Sequence, residues 1–310
     1  MNEMNILNSS DSNDFIDLFD LIKSVFKDKI LILVTTLITF ILFLLISLTL
    51  DNKYQSTAIV APAIEATNPS QSFQALSSIA GYTGLNISSD SNITIEAIER
   101  IQSLDFFSDH FLPYINLQDL VASNNWDSLS GKLEYDSSIF NEEKGLWVRE
   151  VDYPKTVKPS DQEAFKFYED ILSISYDNDT HFVELSIIFI SPDIAKEWLD
   201  LIIKNINESL REIDRRTALN AISFLESQSK TTNLTELNEA ISTLLEDQLK
   251  TLMLTSARKD YIFKIISSPV SPEMKSSPNR ALICIIGIFL GFMLGLFISI
   301  FKSLFLRHRL

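Results

Sequence analysis

The chain of 310 residues has little of what catalytic and disulfide-stabilised proteins rely on: one cysteine, three histidines and seven glycines. With a single cysteine no disulfide can form within the chain, so the cysteine count neither requires nor excludes an oxidising compartment. The histidines, His110, His181 and His308, lie far apart in the sequence, and no two have metal-ligand spacing. No phosphate loop, G-x-S-x-G or H-E-x-x-H sequence occurs. We therefore predict no catalytic residue, no cofactor and no metal site.

Basic side chains are scarce relative to acidic ones, with 26 Lys and Arg against 41 Asp and Glu and a formal net charge of −15. The charges outside residues 51–280 cancel, so the net negative charge belongs to that central region. An acidic surface repels nucleic acid and anionic headgroups, which argues against DNA or RNA as a partner. Mean hydropathy is nonetheless slightly positive, at +0.13. The apolar residues must therefore be concentrated in a few stretches.

Two charge-free runs hold much of this apolar content, at 30–50 and 281–301. Each is long enough to cross a bilayer core of roughly 30 Å as a helix at about 1.5 Å per residue. A long polar segment precedes the first run and no small-residue cleavage site follows it, so we interpret it as an uncleaved anchor and not as a signal peptide. The chain is thus predicted to span the membrane twice, with the lipid bilayer as a partner.

More basic residues flank the two runs on their terminal sides than on the side of the central region. By the positive-inside rule, this excess predicts both termini in the cytoplasm and the central region on the far side of the membrane. Apolar residues recur at helical spacing from Phe15 to Phe26, with lysines toward the membrane, which predicts a short amphipathic helix at the cytoplasmic interface. The predicted regions are 1–29 (cytoplasmic, with the amphipathic helix), 30–50 (first span), 51–280 (translocated domain), 281–301 (second span) and 302–310 (cytoplasmic tail).

The second run carries glycine at every fourth position, at Gly287, Gly291 and Gly295. This spacing puts three missing side chains on one helix face, where another transmembrane helix can approach closely. Glycine is also common in membrane helices without such a role. Because two G-x-x-x-G repeats occur in tandem, we favour a packed face.

Strand patterns bracket the central region. Residues 54–62 alternate and predict a strand that emerges directly from the first span, and 261–266 predict a strand that pairs with it. Residues 171–176 and 181–190 predict a β-hairpin. The sequence at 177–179, Asp-Asn-Asp, lacks the Gly and distal Glu of a calcium loop, so we interpret it as the hairpin turn.

Helical patterns occupy much of the remainder, including 93–111 and 117–121. The longest soluble helix is predicted to begin at Pro192, after the cap Ser191, and to run to about residue 230. A second helix, from about 234 to 255, follows a polar break, which is consistent with a helical hairpin or with a bent rod.

Residues 122–160 are polar and irregular, with one candidate strand at 146–151. Trp126, Trp147 and Trp198 have rings that could stack on sugars, but we expect packing in a core for each of them. The patterns together predict a mixture of helices and strands between two transmembrane helices.

With these patterns in place, the sequence resembles the Wzz-type chain length determinants, the class 1 polysaccharide co-polymerases of Gram-negative inner membranes. The resemblance covers I-D-L-F-D-L at 16–21, Y-Q-S-T-A-I-V-A-P at 54–62 and S-P-D-I-A-K-E-W-L at 191–199. The most specific piece is a proline motif before the second span, joined to its glycine repeat. That motif consists of Pro269, Pro272, Ser277 and Pro278.

The resemblance implies an α+β base domain against the membrane, a long helical rod in the periplasm and a ring-like homo-oligomer. Such proteins set the modal length of a surface polysaccharide, the lipopolysaccharide O antigen or a related glycan, and they are not enzymes. The partners implied are further copies of the chain, the membrane-embedded polymerase and the growing glycan. The implied location is the inner membrane of a Gram-negative bacterium, with residues 51–280 in the periplasm.

A second function stays open at this point. Related capsule and exopolysaccharide proteins carry a cytoplasmic tyrosine kinase with Walker motifs, whereas nine residues follow the second span here, so we expect no fused kinase. A membrane adaptor that activates a separately encoded tyrosine kinase in capsule or exopolysaccharide export is the alternative to a length-regulating scaffold.

Overall fold

The computed structural model describes residues 28–63, 91–231 and 235–307. The predicted amphipathic helix of the N-terminal region and His308 lie outside these residues. The described residues combine helices with strands, which confirms the predicted α+β class. They form two compact units, one from the described parts of 1–51 and 277–310 and the other from those of 52–276.

The helices are, in chain order, α1 Lys29–Thr49, α2 Ser91–Ile101, α3 Leu104–Phe106, α4 Leu117–Val121, α5 Asp161–Ile171, α6 Pro192–Thr231, α7 Thr235–Ala257 and α8 Arg280–Arg307. The strands are β1 Tyr54–Pro62, β2 Ser123–Asp127, β3 Lys132–Tyr135, β4 Phe140–Asn141, β5 Leu146–Trp147, β6 Leu172–Tyr176, β7 Val183–Phe189 and β8 Phe263–Ser267.

The first unit contains α1 and α8, and both helices are long and apolar enough to cross a membrane. Their bounds agree with the predicted apolar runs, except that α8 continues beyond residue 301 to Arg307. Most of their large side chains are exposed, as Ile30 and Phe297 illustrate at 72% and 70%. An exposed apolar surface of this extent is costly in water and is what a lipid-facing helix presents.

The second unit is organised around an antiparallel sheet with the strand order β6-β7-β1-β8. Strand β1 pairs with β7 from Tyr54 opposite Phe189 to Val60 opposite Val183. On its other side, β1 pairs with β8, where Pro62 lies opposite Phe263. The predicted strand at 54–62, its pairing with the strand before the second span, and the predicted β-hairpin are all confirmed.

The core of this unit lies where α6 covers the sheet. The alternating pattern of β1 buries Ser56, Ala58 and Val60, and the first turns of α6 bury apolar side chains at spacings of three and four residues. An aromatic cluster extends this core, with Trp198 only 3% exposed and its ring centroid 4.6 Å from that of Phe189. The expectation that Trp198 packs in a core is therefore correct.

The predicted helix at 93–111 is interrupted. Helix α2 ends at Ile101, and Ser103 then caps α3 by accepting a hydrogen bond from the Phe106 backbone N–H at 3.2 Å. The same hydroxyl donates to the Arg100 carbonyl at 2.7 Å, so the serine competes with the backbone for the helical hydrogen bonds. A π-helical turn, Phe107–Phe111, follows.

Residues 122–160 are less irregular than predicted, because β2–β3 and β4–β5 form two small hairpins. Only Leu146–Trp147 of the candidate strand at 146–151 is a strand. The turns depend on Gly131 and Gly145, whose φ angles of 70° and 64° suit glycine far better than other residues. Strands β4 and β5 have only two residues each, which is too few for an alternating pattern in the sequence.

Helix α5 was not predicted, although its start has a complete capping box. The Ser160 side chain accepts from the Glu163 backbone N–H, and the Glu163 side chain accepts from the Ser160 N–H. Arg149 fixes the same carboxylate, with its Nη2 2.6 Å from Glu163 Oε2. This arrangement ties the start of α5 to the segment that follows the β4–β5 hairpin.

Candidate assembly site

The glycine face of α8 lies against α1. A Cβ added to Gly291 would lie 2.8 Å from the Cα of Thr36, and one added to Gly295 would lie 3.0 Å from the Cα of Ile32. At Gly287 the nearest atom, Phe43 Cβ, would be 2.7 Å away. Real Cβ atoms are essentially never closer than 3.0 Å to another heavy atom and are seldom at 3.0 Å, so the missing side chains permit the two helices to touch.

The two helices run antiparallel, because later glycines of α8 meet earlier residues of α1. Thr35, Thr36 and Thr39 lie on the contact surface and direct their hydroxyls to carbonyls of their own helix, three or four residues back, at 2.8–3.1 Å. These bonds satisfy the hydroxyls without water, as an apolar environment requires.

An ion pair closes one end of this helix pair. Lys302 Nζ lies 2.9 Å from Asp28 Oδ1, and the Ser299 hydroxyl donates to the same carboxylate at 3.4 Å. The Asp28 side chain is 18% exposed, so the pair is partly shielded from solvent. Residues 28 and 302 therefore lie at the same end of the two candidate spans.

The four residues of the proline motif are divided between the two units. Pro269 and Pro272 belong to the larger unit, whereas Ser277 and Pro278 belong to the unit of the spans. The segment around Pro269 lies beside the first half of β1, where the Val270 carbonyl accepts from Ser56 Oγ at 2.9 Å. Because proline has no backbone N–H, this segment cannot continue the β8 ladder along β1.

Further hydrogen bonds tie this segment down. Ser271 Oγ donates to Asp193 Oδ1 at 2.7 Å, in the first turn of α6. The Ser276 backbone N–H donates to the Lys53 carbonyl at 2.8 Å. Residues 269–276, which we call the proline segment, are thus held near both ends by hydrogen bonds to the rest of the larger unit.

Helices α6 and α7 form a hairpin, which decides between the two predicted alternatives. The chain leaves α7 at Ala257 and returns to the middle of α6, where Arg211 donates to the carbonyls of Arg258 and Lys259. Tyr261 donates from its hydroxyl to Asp214 Oδ2 at 2.6 Å. Burial, and then the hydrogen bond to the Asp214 carboxylate, raise the pKa of the Tyr261 hydroxyl, so this group stays protonated and donating.

We call the region where residues 258–263 return to the middle of α6 the hairpin root. Its central residue is Asn207, which is 7% exposed. Its Oδ1 accepts from the backbone N–H groups of Ile262 and Phe263, each at 2.8 Å. Its Nδ2 donates to the Phe263 and Ile203 carbonyls, each at 3.1 Å. Since β8 is an edge strand, this amide side chain pairs with Phe263 as a neighbouring strand would.

Sequence periodicity missed these root residues, because Asn207 interrupts the apolar stripe of α6 and its partners lie more than fifty residues later. A polar residue within an apolar stripe was the available signal. Beyond the root, the hairpin exposes large apolar side chains on both helices: Leu219, Phe224, Leu237, Leu244, Leu249 and Met253.

Within the described residues there is no group of three or more His, Cys, Asp and Glu side chains that could hold a metal ion. His110 is bound to Ser209, with its Nε2 3.0 Å from the serine hydroxyl. His181 contacts the Tyr176 hydroxyl through Nδ1 at 2.9 Å. Asp177 accepts from the backbone N–H groups of Asp179 and Thr180, which lowers its pKa and confirms the predicted hairpin turn.

Comparisons with known proteins bear on this architecture. Residues 14–109 match the family model "Wzz: Chain length determinant protein". No curated protein matches the chain. The match supports a role connected with chain length in glycan synthesis.

Two solved structures are similar at low identity. One is a "full-length bacterial polysaccharide co-polymerase", 14% identical, covering 94% of this chain and 99% of its own, with a TM-score of 0.40. The other is a fragment of WzzB, a polysaccharide co-polymerase from Salmonella Typhimurium, 15% identical, covering 73% of this chain and 100% of its own, with a TM-score of 0.29. Because both TM-scores are low, what supports the similarity to the family is the match of residues 14–109. The match of residues 14–109 to the chain length determinant model agrees with the resemblance to the Wzz-type family seen in the sequence.

Proposed function

We propose that this protein is a non-enzymatic regulator of surface polysaccharide chain length, such as that of the lipopolysaccharide O antigen, in the inner membrane of a Gram-negative bacterium. The observation that carries the proposal is the match of residues 14–109 to the chain length determinant model. The protein works as a homo-oligomeric scaffold beside the polymerase.

The proposed topology has two spans, with both termini in the cytoplasm and residues 51–280 in the periplasm. The antiparallel contact of α1 with α8 and the Asp28–Lys302 ion pair support it, because they put both terminal segments at one end of the helix pair. The lysines before the first span support the cytoplasmic side.

The proposed assembly uses the hairpin. Exposed apolar side chains such as Phe224, which is 61% exposed, and Met253, which is 71% exposed, lie on its two helices. Burying them against a second copy removes apolar surface from water, at about 25 cal/mol per Å². Several hairpins brought together in this way would hold several polymerases near one another and prolong the contact of each growing chain with them.

The first experiment is deletion of the gene, with surface glycan resolved on a gel. A regulator changes the distribution of polymer lengths while glycan is still made, so we expect a ladder without its modal band. Complete loss of polymer, restored by the wild-type gene, would instead identify an enzyme of the pathway. An unchanged ladder with reduced activity of a separate tyrosine kinase would favour the kinase adaptor.

A second experiment changes the hairpin length. Removing residues 220–226 and 240–246 together shortens both helices by seven residues, about 10 Å each, and nearly preserves which faces meet. We expect a shifted or broadened ladder. The matched control replaces Ser223 and Ser242 with alanine, since each hydroxyl bonds only within its own helix, and should give the parental ladder. A parental ladder from the shortened variant would refute a role for hairpin length.

A further inference from the structure

A cleft of about 510 Å³ lies in the larger unit, away from the hairpin root and the proline segment. Three separate stretches of the chain meet there: 112–118, the β4–β5 hairpin and 158–161. This volume is within the range of small-molecule sites, roughly 300–1,000 Å³. The lining residues that matter here are Asn116, Gln118, Phe140, Trp147, Lys158 and Asp161.

The aromatic part of the cleft is held firmly in place. Phe140 and Trp147 are directly opposite each other across β4 and β5, and their ring centroids are 5.2 Å apart at an interplanar angle of 65°. Tyr135 contacts the other side of this pair, with its ring centroid 5.6 Å from that of Phe140. Phe140 is buried, whereas Trp147 is only partly buried, so some of the indole remains accessible at the cleft. A fixed, partly exposed indole is a binding surface that costs little entropy when a ligand contacts it.

The polar part of the cleft has unused hydrogen-bonding capacity. Among the residues that the structure describes, none forms a hydrogen bond or ion pair with the side chains of Gln118, Lys158 or Asp161. Asn116 uses its Nδ2 to bind Asp119 Oδ2 at 2.9 Å, and its Oδ1 is left to accept. The lining therefore combines donors and acceptors with an aromatic wall and carries one cation and one anion.

This combination selects among ligand classes. A polyanion is disfavoured by the chain's net charge of −15, and a lipid chain by the charged and amide side chains in the lining. A sugar ring presents C–H groups on one face and hydroxyls around its edge. The face can lie on the indole, and the hydroxyls can donate to Asp161 and accept from Gln118 and Lys158.

We propose that this cleft binds a short stretch of saccharide through Trp147, Gln118, Lys158 and Asp161. The inference deepens the proposed function and rests on it, because it gives the length regulator direct contact with glycan. Trp147 packs against the core as expected, but it is only partly buried. Its pairing with Phe140 fixes the ring, and its accessible part is available to a ligand.

The test uses the full-length protein in detergent micelles and oligosaccharides released by mild acid from the surface polysaccharide of the host bacterium. Saturation-transfer NMR reports contact, and titration of tryptophan fluorescence gives the dissociation constant. We expect measurable binding at millimolar saccharide or below. Gln118→Ala and Lys158→Ala should each weaken it at least fivefold, and Trp147→Phe at least tenfold.

The matched controls lie outside the cleft. Lys166→Ala, at an exposed position of α5, and Trp126→Phe, whose ring contacts Tyr54, should each leave the dissociation constant within twofold. Absence of binding by the wild-type protein overturns the proposal, as does equal weakening by cleft and control variants. Gln118 and Lys158 are not core residues, so these two variants keep the test decisive if Trp147→Phe fails to fold. If the protein does not bind saccharide but the deletion strain loses its modal band, only the cleft assignment is wrong. If the deletion strain keeps the parental ladder, the proposed function itself is wrong.

Discussion

Replacement of Asn207 by alanine tests whether the hairpin root depends on one buried amide. The side chain makes four hydrogen bonds, three of them to backbone groups of Ile262 and Phe263 in the segment that returns from the hairpin. Alanine removes all of these partners. Because β8 is an edge strand of the described sheet, no other strand that the structure describes replaces the lost partners of Phe263.

The magnitude follows from these three bonds. Each is worth about 1 kcal/mol net, so Asn207→Ala should lower the free energy of unfolding by about 3 kcal/mol. For a domain of about 200 residues, 1 kcal/mol corresponds to roughly 2–4 °C, so the melting temperature should fall by about 6–12 °C. The assay is thermal unfolding of the full-length protein in detergent, followed by the far-ultraviolet circular dichroism of its helices.

The control is Asn220→Ala. Asn220 is exposed on the same helix, and its side chain forms no hydrogen bond with any residue that the structure describes. This variant should change stability by no more than about 0.5 kcal/mol. A melting temperature for Asn207→Ala within about 2 °C of the wild-type value would refute the assignment of Asn207 as the residue that anchors the return segment.

Three other predictions concern α5, the spans and the topology. The Arg149 hydrogen bond lowers the pKa of Glu163 below its ordinary value of 4.5, so its stabilising effect is present above that pH and lost as the pH falls through the folded-state pKa. The melting temperature of wild type should therefore fall more than that of Glu163→Gln between about pH 5 and pH 3. Gly291→Leu should separate α1 from α8, because its side chain meets the Thr36 backbone, and should weaken assembly seen by cross-linking. Alkaline phosphatase fused after residue 150 should be active, because the proposed topology puts this segment in the periplasm.

Each of these has its own control. Glu169→Gln changes an exposed carboxylate on α5, so its melting temperature should depend on pH as that of the wild type does. If the melting temperature of Glu163→Gln also followed the wild-type pH dependence, the coupling of Glu163 to Arg149 would be contradicted. Phe289→Leu alters a side chain that is 62% exposed and should assemble normally, and normal assembly of Gly291→Leu would remove the role of the glycine face. A fluorescent protein that folds only in the cytoplasm should give no fluorescence when it is fused after residue 150. Bright fluorescence would show that this segment is cytoplasmic and would refute the proposed topology.

Local patterns were sufficient where one element carries its own periodicity. Strand β1 alternates over nine residues and was predicted with its bounds, and α6 was predicted from the cap at Ser191 and the proline at its start. The two apolar runs likewise identified α1 and α8. By contrast, β4 and β5 are two residues long, and their pairing depends on a glycine turn and on contact between Phe140 and Trp147. A pattern needs several residues to repeat, so these short pairings were not predicted.

The sequence by itself determined the two apolar helices, the individual strands of the main sheet and two consecutive long helices, because each follows from hydrophobic periodicity and capping along one stretch of chain. Only the tertiary structure decided that these helices close into a hairpin and that the glycine face of α8 lies against α1. It also brought together the walls of the cleft. These outcomes depend on contacts between distant residues, such as Asn207 with Phe263 and Gly291 with Thr36, whose free energy is not encoded in either stretch alone.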